Sequence, residues 1–132
     1  MKIDHVGIAV KSLAEALKVY QDAVGLSLSG YDEVDDQGVR VAMLTIGESR
    51  IELLEPTRGD SPIEKFMAKR GEGIHHIAVQ VNNIEETLEK LKASGVRLID
   101  SAPRRGAHNT RIAFIHPSST HGVLLELVEH GE

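Results

Sequence analysis

Residues 5–10 read HVGIAV, and residues 76–81 repeat this pattern as HIAVQV. Three further pairs of segments follow in the same order: 12–17 with 83–88, 39–44 with 110–115, and 51–55 with 125–129. An ordered repeat of this kind is typical of a duplicated structural unit. The sequence therefore predicts two related modules, about residues 1–71 and 72–132. Because no Gly/Ser-rich or Pro-rich linker separates them, we expect a single domain over residues 1–132.

Each module reads as a strand, a helix and then further strands. Three predicted helices begin with a capping box, in which an N-cap side chain is followed three residues later by a glutamate: Ser12 with Glu15, Ser61 with Glu64, and Asn83 with Glu86. The apolar face predicted for the first helix comprises Leu13, Leu17, Tyr20 and Val24. With short strands expected near residues 27–33 and 96–101, the order in each module is βαβββ, and the fold class is α+β.

The composition disfavours several classes of protein. The 132 residues include 15 Lys+Arg and 20 Asp+Glu, and the resulting net charge of −5 disfavours binding to nucleic acid. The absence of cysteine excludes disulfides and thiolate metal sites. No apolar run approaches the roughly 20 residues that a membrane span needs, and the N-terminus lacks the apolar core of a signal peptide. We therefore expect a cytoplasmic protein without nucleic-acid or membrane partners.

Four residues of the repeat suggest a metal site. In the first strand of each module a histidine, His5 or His76, shares a face with a very small residue. Glu52 and Glu126 occupy matching positions between apolar residues, where burying a carboxylate without a partner is costly. A divalent ion bound by all four side chains would supply that partner, and the donor set suits Zn, Co, Ni, Fe or Mn. The alternative is that both glutamates lie in edge strands and face water.

Five motifs resemble those of one enzyme family. They are residues 4–10 (DHVGIAV), 52–56 (ELLEP), 73–78 (GIHHIA), 114–117 (FIHP) and 122–127 (GVLLEL). Together they are similar to the methylmalonyl-CoA epimerase family, a branch of the vicinal oxygen chelate superfamily that also contains the glyoxalases. The resemblance extends across essentially the whole chain. It implies two βαβββ modules whose mixed sheet curls into a cup around a metal, usually in a homodimer.

The resemblance also implies a set of residue roles. By position, His5, His76 and Glu126 bind the metal, and Glu126 is the catalytic acid/base. Glu52 stands where the family carries Gln or Glu as the remaining ligand. The implied reaction interconverts (2R)- and (2S)-methylmalonyl-CoA, by removal and return of the C2 proton through a metal-stabilised enolate. Four protein ligands and a bidentate acyl-CoA substrate give about six-coordination, so the expected ion is cobalt, with manganese, nickel or zinc as alternatives.

The sequence departs from the family at one position. Some members carry a second carboxylate on the strand after the turn at residues 37–38, and Val41 stands there. Either another group serves the opposite face of the substrate, such as Glu48, Asp35, Asp36 or a water molecule, or the second proton transfer works in another way. For the phosphates of coenzyme A, the most basic loop is residues 104–111, which begins with two arginines, and Lys69 and Arg70 come next. The alternative is that both segments are charged surface in contact with water.

Three other functions remain open at this point. The same ligand set would serve a glyoxalase-type isomerase, and an extradiol dioxygenase needs Fe(II) with two histidines and one carboxylate. A metal-free binding module on the same fold is a further alternative, although it has no need of four metal ligands. A fold does not determine a function by itself.

Overall fold

A computed structural model describes residues 1–131 of the chain. Its contacts divide the chain into two compact units. The first unit is His5–His75, and the second consists of Met1–Asp4 together with the chain from His76 onward.

The helices and strands follow the predicted order. The helices are α1 (Leu13–Leu17), which continues as a π-helical turn (Lys18–Ala23), α2 (Pro62–Arg70) and α3 (Ile84–Ala93). The strands are β1 (Lys2–Ala9), β2 (Ser27–Val34), β3 (Val39–Ile46), β4 (Ser49–Pro56), β5 (Gly73–Gln80), β6 (Arg104–Arg105), β7 (Thr110–Ile115) and β8 (Leu125–His130). No helix within residues 1–131 is both long enough and apolar enough to cross a membrane.

The two units have the same sheet topology. In the first unit the strand order is β2-β3-β4-β1, with β1 parallel to β4 and the other pairs antiparallel. In the second unit the order is β6-β7-β8-β5, with β5 parallel to β8 and the other pairs antiparallel. The βαβββ pattern predicted from the repeat is therefore confirmed in both units.

One helix packs on one face of each sheet. Leu13 and Leu17 of α1 pack against buried residues of β3 and β4, and Ile84 and Leu88 of α3 pack against those of β7 and β8. Because side chains alternate along a strand, the other face of each sheet remains for different residues. That second face carries the candidate site.

All three predicted N-caps are confirmed. The side chains of Ser12, Ser61 and Asn83 each accept a hydrogen bond from a backbone N–H in the first turn of their helix. A carboxylate from a strand adds to two of these caps. Glu55 of β4 accepts from the Leu13 N–H at 2.9 Å, and Glu129 of β8 accepts from the Ile84 N–H at 3.0 Å.

Two expectations about local structure are wrong. Val24 is 63 % exposed and does not lie on the apolar face of the first helix. The π-helical turn before it, in which the Val24 N–H donates to the Val19 carbonyl, shifts the helical register. The strand expected near residues 96–101 is reduced to a single bridge between Leu98 and Ile115. There the Asp100 side chain accepts the Phe114 N–H at 2.8 Å, which replaces a ladder bond.

Candidate metal and catalytic site

The face of the first sheet that lies away from α1 carries His5 and Glu52. Gly7 of β1 pairs with Glu52 of β4, so β1 places no side chain directly beside the carboxylate. His5 and Glu52 are each only 5 % exposed. His5 Nδ1 lies 3.4 Å from Glu52 Oε2, and Arg50 Nη2 donates to the same oxygen at 3.0 Å.

The second sheet repeats this arrangement with His76 and Glu126. Ala78 of β5 is fully buried and pairs with Glu126 of β8, as Gly7 pairs with Glu52. His76 is 6 % exposed and Glu126 is 5 % exposed. His76 Nε2 lies 3.0 Å from Glu126 Oε1, and the Phe114 ring packs edge-on against the imidazole with 5.7 Å between ring centroids.

The burial of the two glutamates settles one alternative. β4 lies between β3 and β1, and β8 lies between β7 and β5, so neither glutamate is in an edge strand of its unit. The alternative in which both carboxylates face water is therefore wrong. A buried carboxylate needs a compensating partner, and in each unit an imidazole stands beside it.

The chemistry of each His–Glu pair fits a divalent metal. Imidazole nitrogen and carboxylate oxygen both bind such ions at about 2.0–2.2 Å. Two donors that share one ion at these bond lengths lie about 3 Å apart, which is the separation of the two donor atoms in each pair. Each unit thus offers one nitrogen and one oxygen donor atom of the expected types.

The structure also locates the groups considered for the missing carboxylate. Val41 is 2 % exposed and lies on the Glu52 face of the first sheet, opposite Leu54 in β4. Glu48, Asp35 and Asp36 are exposed residues of turns, outside the strands of this sheet. None of the three lies on the sheet face that carries His5 and Glu52.

One acidic residue on this face was not predicted. Asp32 in β2 pairs directly with Val41, so its side chain lies on the Glu52 face, and the residue is half-buried. The sequence offers little signal for Asp32, because the register of β2 shifts between Leu28 and Gly30. Glu52 and Asp32 are the acidic residues that strand alternation places on this face.

Several other histidines have structural contacts. His75 packs edge-on against Phe66 with 4.9 Å between ring centroids, as expected for a residue that points away from the His76 side. His116 Nδ1 accepts a hydrogen bond from the Ser118 N–H at 3.0 Å, which makes it a turn residue. His130 Nε2 contacts Asp4 Oδ1 at 2.5 Å, and this link between the two ends of the second unit was not predicted.

Comparison with known proteins identifies the family. Residues 4–114 match the model of the Glyoxalase/Bleomycin resistance protein/Dioxygenase superfamily. The chain belongs to this superfamily. Over 97 % of its length it is 39 % identical to the mitochondrial methylmalonyl-CoA epimerase of Dictyostelium discoideum, and the match covers 78 % of that protein. Over 96 % of its length it is 37 % identical to the ethylmalonyl-CoA/methylmalonyl-CoA epimerase of Cereibacter sphaeroides, and this match covers 96 % of that protein.

A solved structure gives the same result for the fold. The complex of a methylmalonyl-CoA epimerase with methylmalonyl-CoA and an ammonium ion matches with a TM-score of 0.94 at 41 % identity. The match covers 98 % of this chain and 94 % of that chain. The predicted resemblance to the epimerase family and the predicted glyoxalase-type fold are therefore confirmed, and so is the prediction that the chain is an enzyme of this family.

Proposed function

We propose that the chain is a metal-dependent epimerase that interconverts (2R)- and (2S)-methylmalonyl-CoA. One observation carries the proposal: a buried His–Glu pair recurs at matching positions of both units, in a chain similar over its full length to methylmalonyl-CoA epimerases. A metal-free binding module has no use for two such pairs.

The proposed metal ligands are His5, Glu52, His76 and Glu126, which share one divalent ion. Support comes from the repeat, which gives each module one imidazole and one carboxylate, and from the donor separations within each pair. These residues would hold the ion, and a bound ion would supply Lewis-acid chemistry that stabilises negative charge on the acyl-CoA substrate. Cobalt is the proposed ion, with manganese, nickel and zinc as alternatives.

Epimerisation needs a proton carrier on each face of C2. Glu126 is the proposed acid/base on one face, because it is a buried carboxylate with small Ala78 beside it. For the other face we favour Glu52 over Asp32, because Glu52 is the repeat equivalent of Glu126 and lies beside His5. General acid/base transfer of this kind contributes about 10²–10⁴-fold to the rate.

Proton exchange at C2 tests the proposal. Each epimer of methylmalonyl-CoA is incubated in D₂O with the full chain, first stripped of metal and then reloaded with Co(II), and the C2 proton is followed by NMR. The expected result is loss of the C2 signal and equilibration of the epimers with the reloaded protein only. Equal exchange in the stripped protein would contradict the role of the metal. No exchange with any divalent ion would contradict the epimerase and direct the search to glyoxalase substrates.

Two further features are proposed. The chain forms a homodimer, as the family resemblance implies, and it acts in the cytoplasm. Light scattering on the purified chain checks the first of these, because a mass of about twice 14.4 kDa is expected. A single-chain mass at micromolar concentration would contradict the dimer.

A further inference from the structure

One cation lies on the same sheet face as His76 and Glu126. Arg104 of β6 pairs with Ile112 of β7, and Phe114, two residues further along β7, pairs with Glu126 of β8. Cross-strand partners share a face, and so do residues two positions apart in a strand. Arg104 therefore lies on the catalytic face of the second sheet.

Contacts hold the Arg104 side chain in place on this face. Its guanidinium carbon lies 5.5 Å from the centroid of the Phe114 ring. The same ring packs edge-on against His76, so Arg104 and the candidate metal ligand both contact Phe114. Asp100 Oδ1 lies 3.1 Å from Arg104 Nε. Asp100 is itself fixed, because its Oδ2 accepts the Phe114 N–H.

These contacts involve only part of the guanidinium. Arg104 Nε is buried and makes no hydrogen bond, so its contact with Asp100 is an ion pair. The whole side chain is nevertheless 29 % exposed. An arginine has five N–H donors in a planar fork that matches the two oxygens of a carboxylate or phosphate. An arginine whose Nε lies beside Asp100 and whose side chain is partly exposed is suited to binding such an anion through its other N–H groups.

We infer that Arg104 binds an oxyanion of the acyl-CoA substrate beside the His76–Glu126 pair. This inference rests on the proposed function, which supplies two sources of that anion. One source is the malonyl carboxylate, which is attached to the reacting carbon, and the other is a phosphate of coenzyme A. Arg104 is thus a substrate-binding residue that adds specificity for an anionic ligand.

The neighbouring arginine provides a matched control. Arg105 is exposed and pairs with Arg111, so it lies on the opposite face of the same two strands. Arg111 is bound to Glu85 and Glu129 on the α3 side of the sheet. Removal of the Arg105 charge changes the net charge as much as removal of the Arg104 charge, without altering the catalytic face.

Binding of two ligands to the Co(II)-loaded chain tests the inference. Calorimetry gives the Kd of methylmalonyl-CoA and of propionyl-CoA, which lacks the malonyl carboxylate, for the wild type, Arg104→Gln, Arg104→Lys and Arg105→Gln. If Arg104 binds the carboxylate, Arg104→Gln weakens methylmalonyl-CoA by about tenfold to a hundredfold and leaves propionyl-CoA unchanged. If it binds a phosphate, both ligands weaken to this extent. In either case Arg104→Lys recovers part of the affinity.

The outcomes separate the inference from the proposed function. If both ligands bind Arg104→Gln as tightly as they bind Arg105→Gln, Arg104 is a structural residue and the inference is overturned. Equal weakening in Arg104→Gln and Arg105→Gln also overturns it, because the effect is then one of net charge. If the wild type neither binds methylmalonyl-CoA nor exchanges its C2 proton, the proposed function fails, whatever the variants show.

Discussion

At the scale of single residues, the site depends on small side chains next to buried carboxylates. Gly7 and Ala78 are the cross-strand neighbours of Glu52 and Glu126, so no large side chain lies directly beside either carboxylate on that strand. Each glutamate is 5 % exposed and has an imidazole as its neighbour. Burial of a carboxylate is costly, so a bound cation would further stabilise the folded chain at these positions.

Removal of the metal should therefore lower thermal stability. An ion that binds only the folded chain stabilises it by about 3 kcal/mol at a hundredfold excess over Kd, which corresponds to a Tm change on the order of 10 °C. Calorimetry of the stripped and the Co(II)-loaded chain measures this difference. Identical melting curves would contradict a metal bound by buried residues.

Substitution of one predicted ligand should remove the ion. We expect His76→Ala to bind substoichiometric metal after dialysis against Co(II), as measured by elemental analysis, because the site loses one of its two imidazoles. His121→Asn is the matched control. His121 is exposed in a turn with a φ of 59°, a conformation that asparagine tolerates. The control should keep one ion per chain, and equal metal loss in both variants would contradict the assignment of His76.

At the scale of elements, the two units use the same device to attach the helix to the sheet. Glu55 and Glu129, at matching positions of the repeat, each accept a hydrogen bond from the first backbone N–H of a helix. The Ile84 N–H, followed by the Arg111 guanidinium, lowers the pKa of Glu129 below its ordinary value of 4.5. Glu129 is therefore a charged cap that favours the folded state while it is ionised.

The stability contributed by Glu129 should depend on pH. Because its pKa is lower in the folded than in the unfolded chain, its contribution is complete above the unfolded value and is lost as the pH falls through the folded value. At pH 7 we expect Glu129→Gln to reduce the free energy of unfolding by about 1 kcal/mol. Urea unfolding at pH 7 and at pH 3 measures the difference, which should shrink at pH 3. A difference independent of pH would contradict the ionic cap.

At the scale of the whole molecule, much of the fold could be predicted because it is repeated. The capping residues Ser12 and Asn83 and the strand histidines follow from short-range patterns with periods of two and 3.6 residues. The same patterns could not predict on which face of the sheet Asp32 and Arg104 lie. For Asp32 the face depends on a register shift in β2, and for Arg104 it depends on a strand of two residues. The bond between Asp4 and His130 joins positions 126 residues apart, and no local pattern encodes it.

The central claim is that each module supplies one carboxylate that transfers a proton at one face of C2. The most direct test is deuterium exchange into (2R)- and (2S)-methylmalonyl-CoA by the Co(II)-loaded variants Glu126→Gln and Glu52→Gln. The glutamine amide oxygen can still bind a metal as a neutral ligand, but the amide cannot take up and return a proton as the carboxylate does. We predict that both variants lose interconversion, that each still exchanges one epimer, and that the retained epimers are opposite. Interconversion by Glu126→Gln at the wild-type rate would contradict the account.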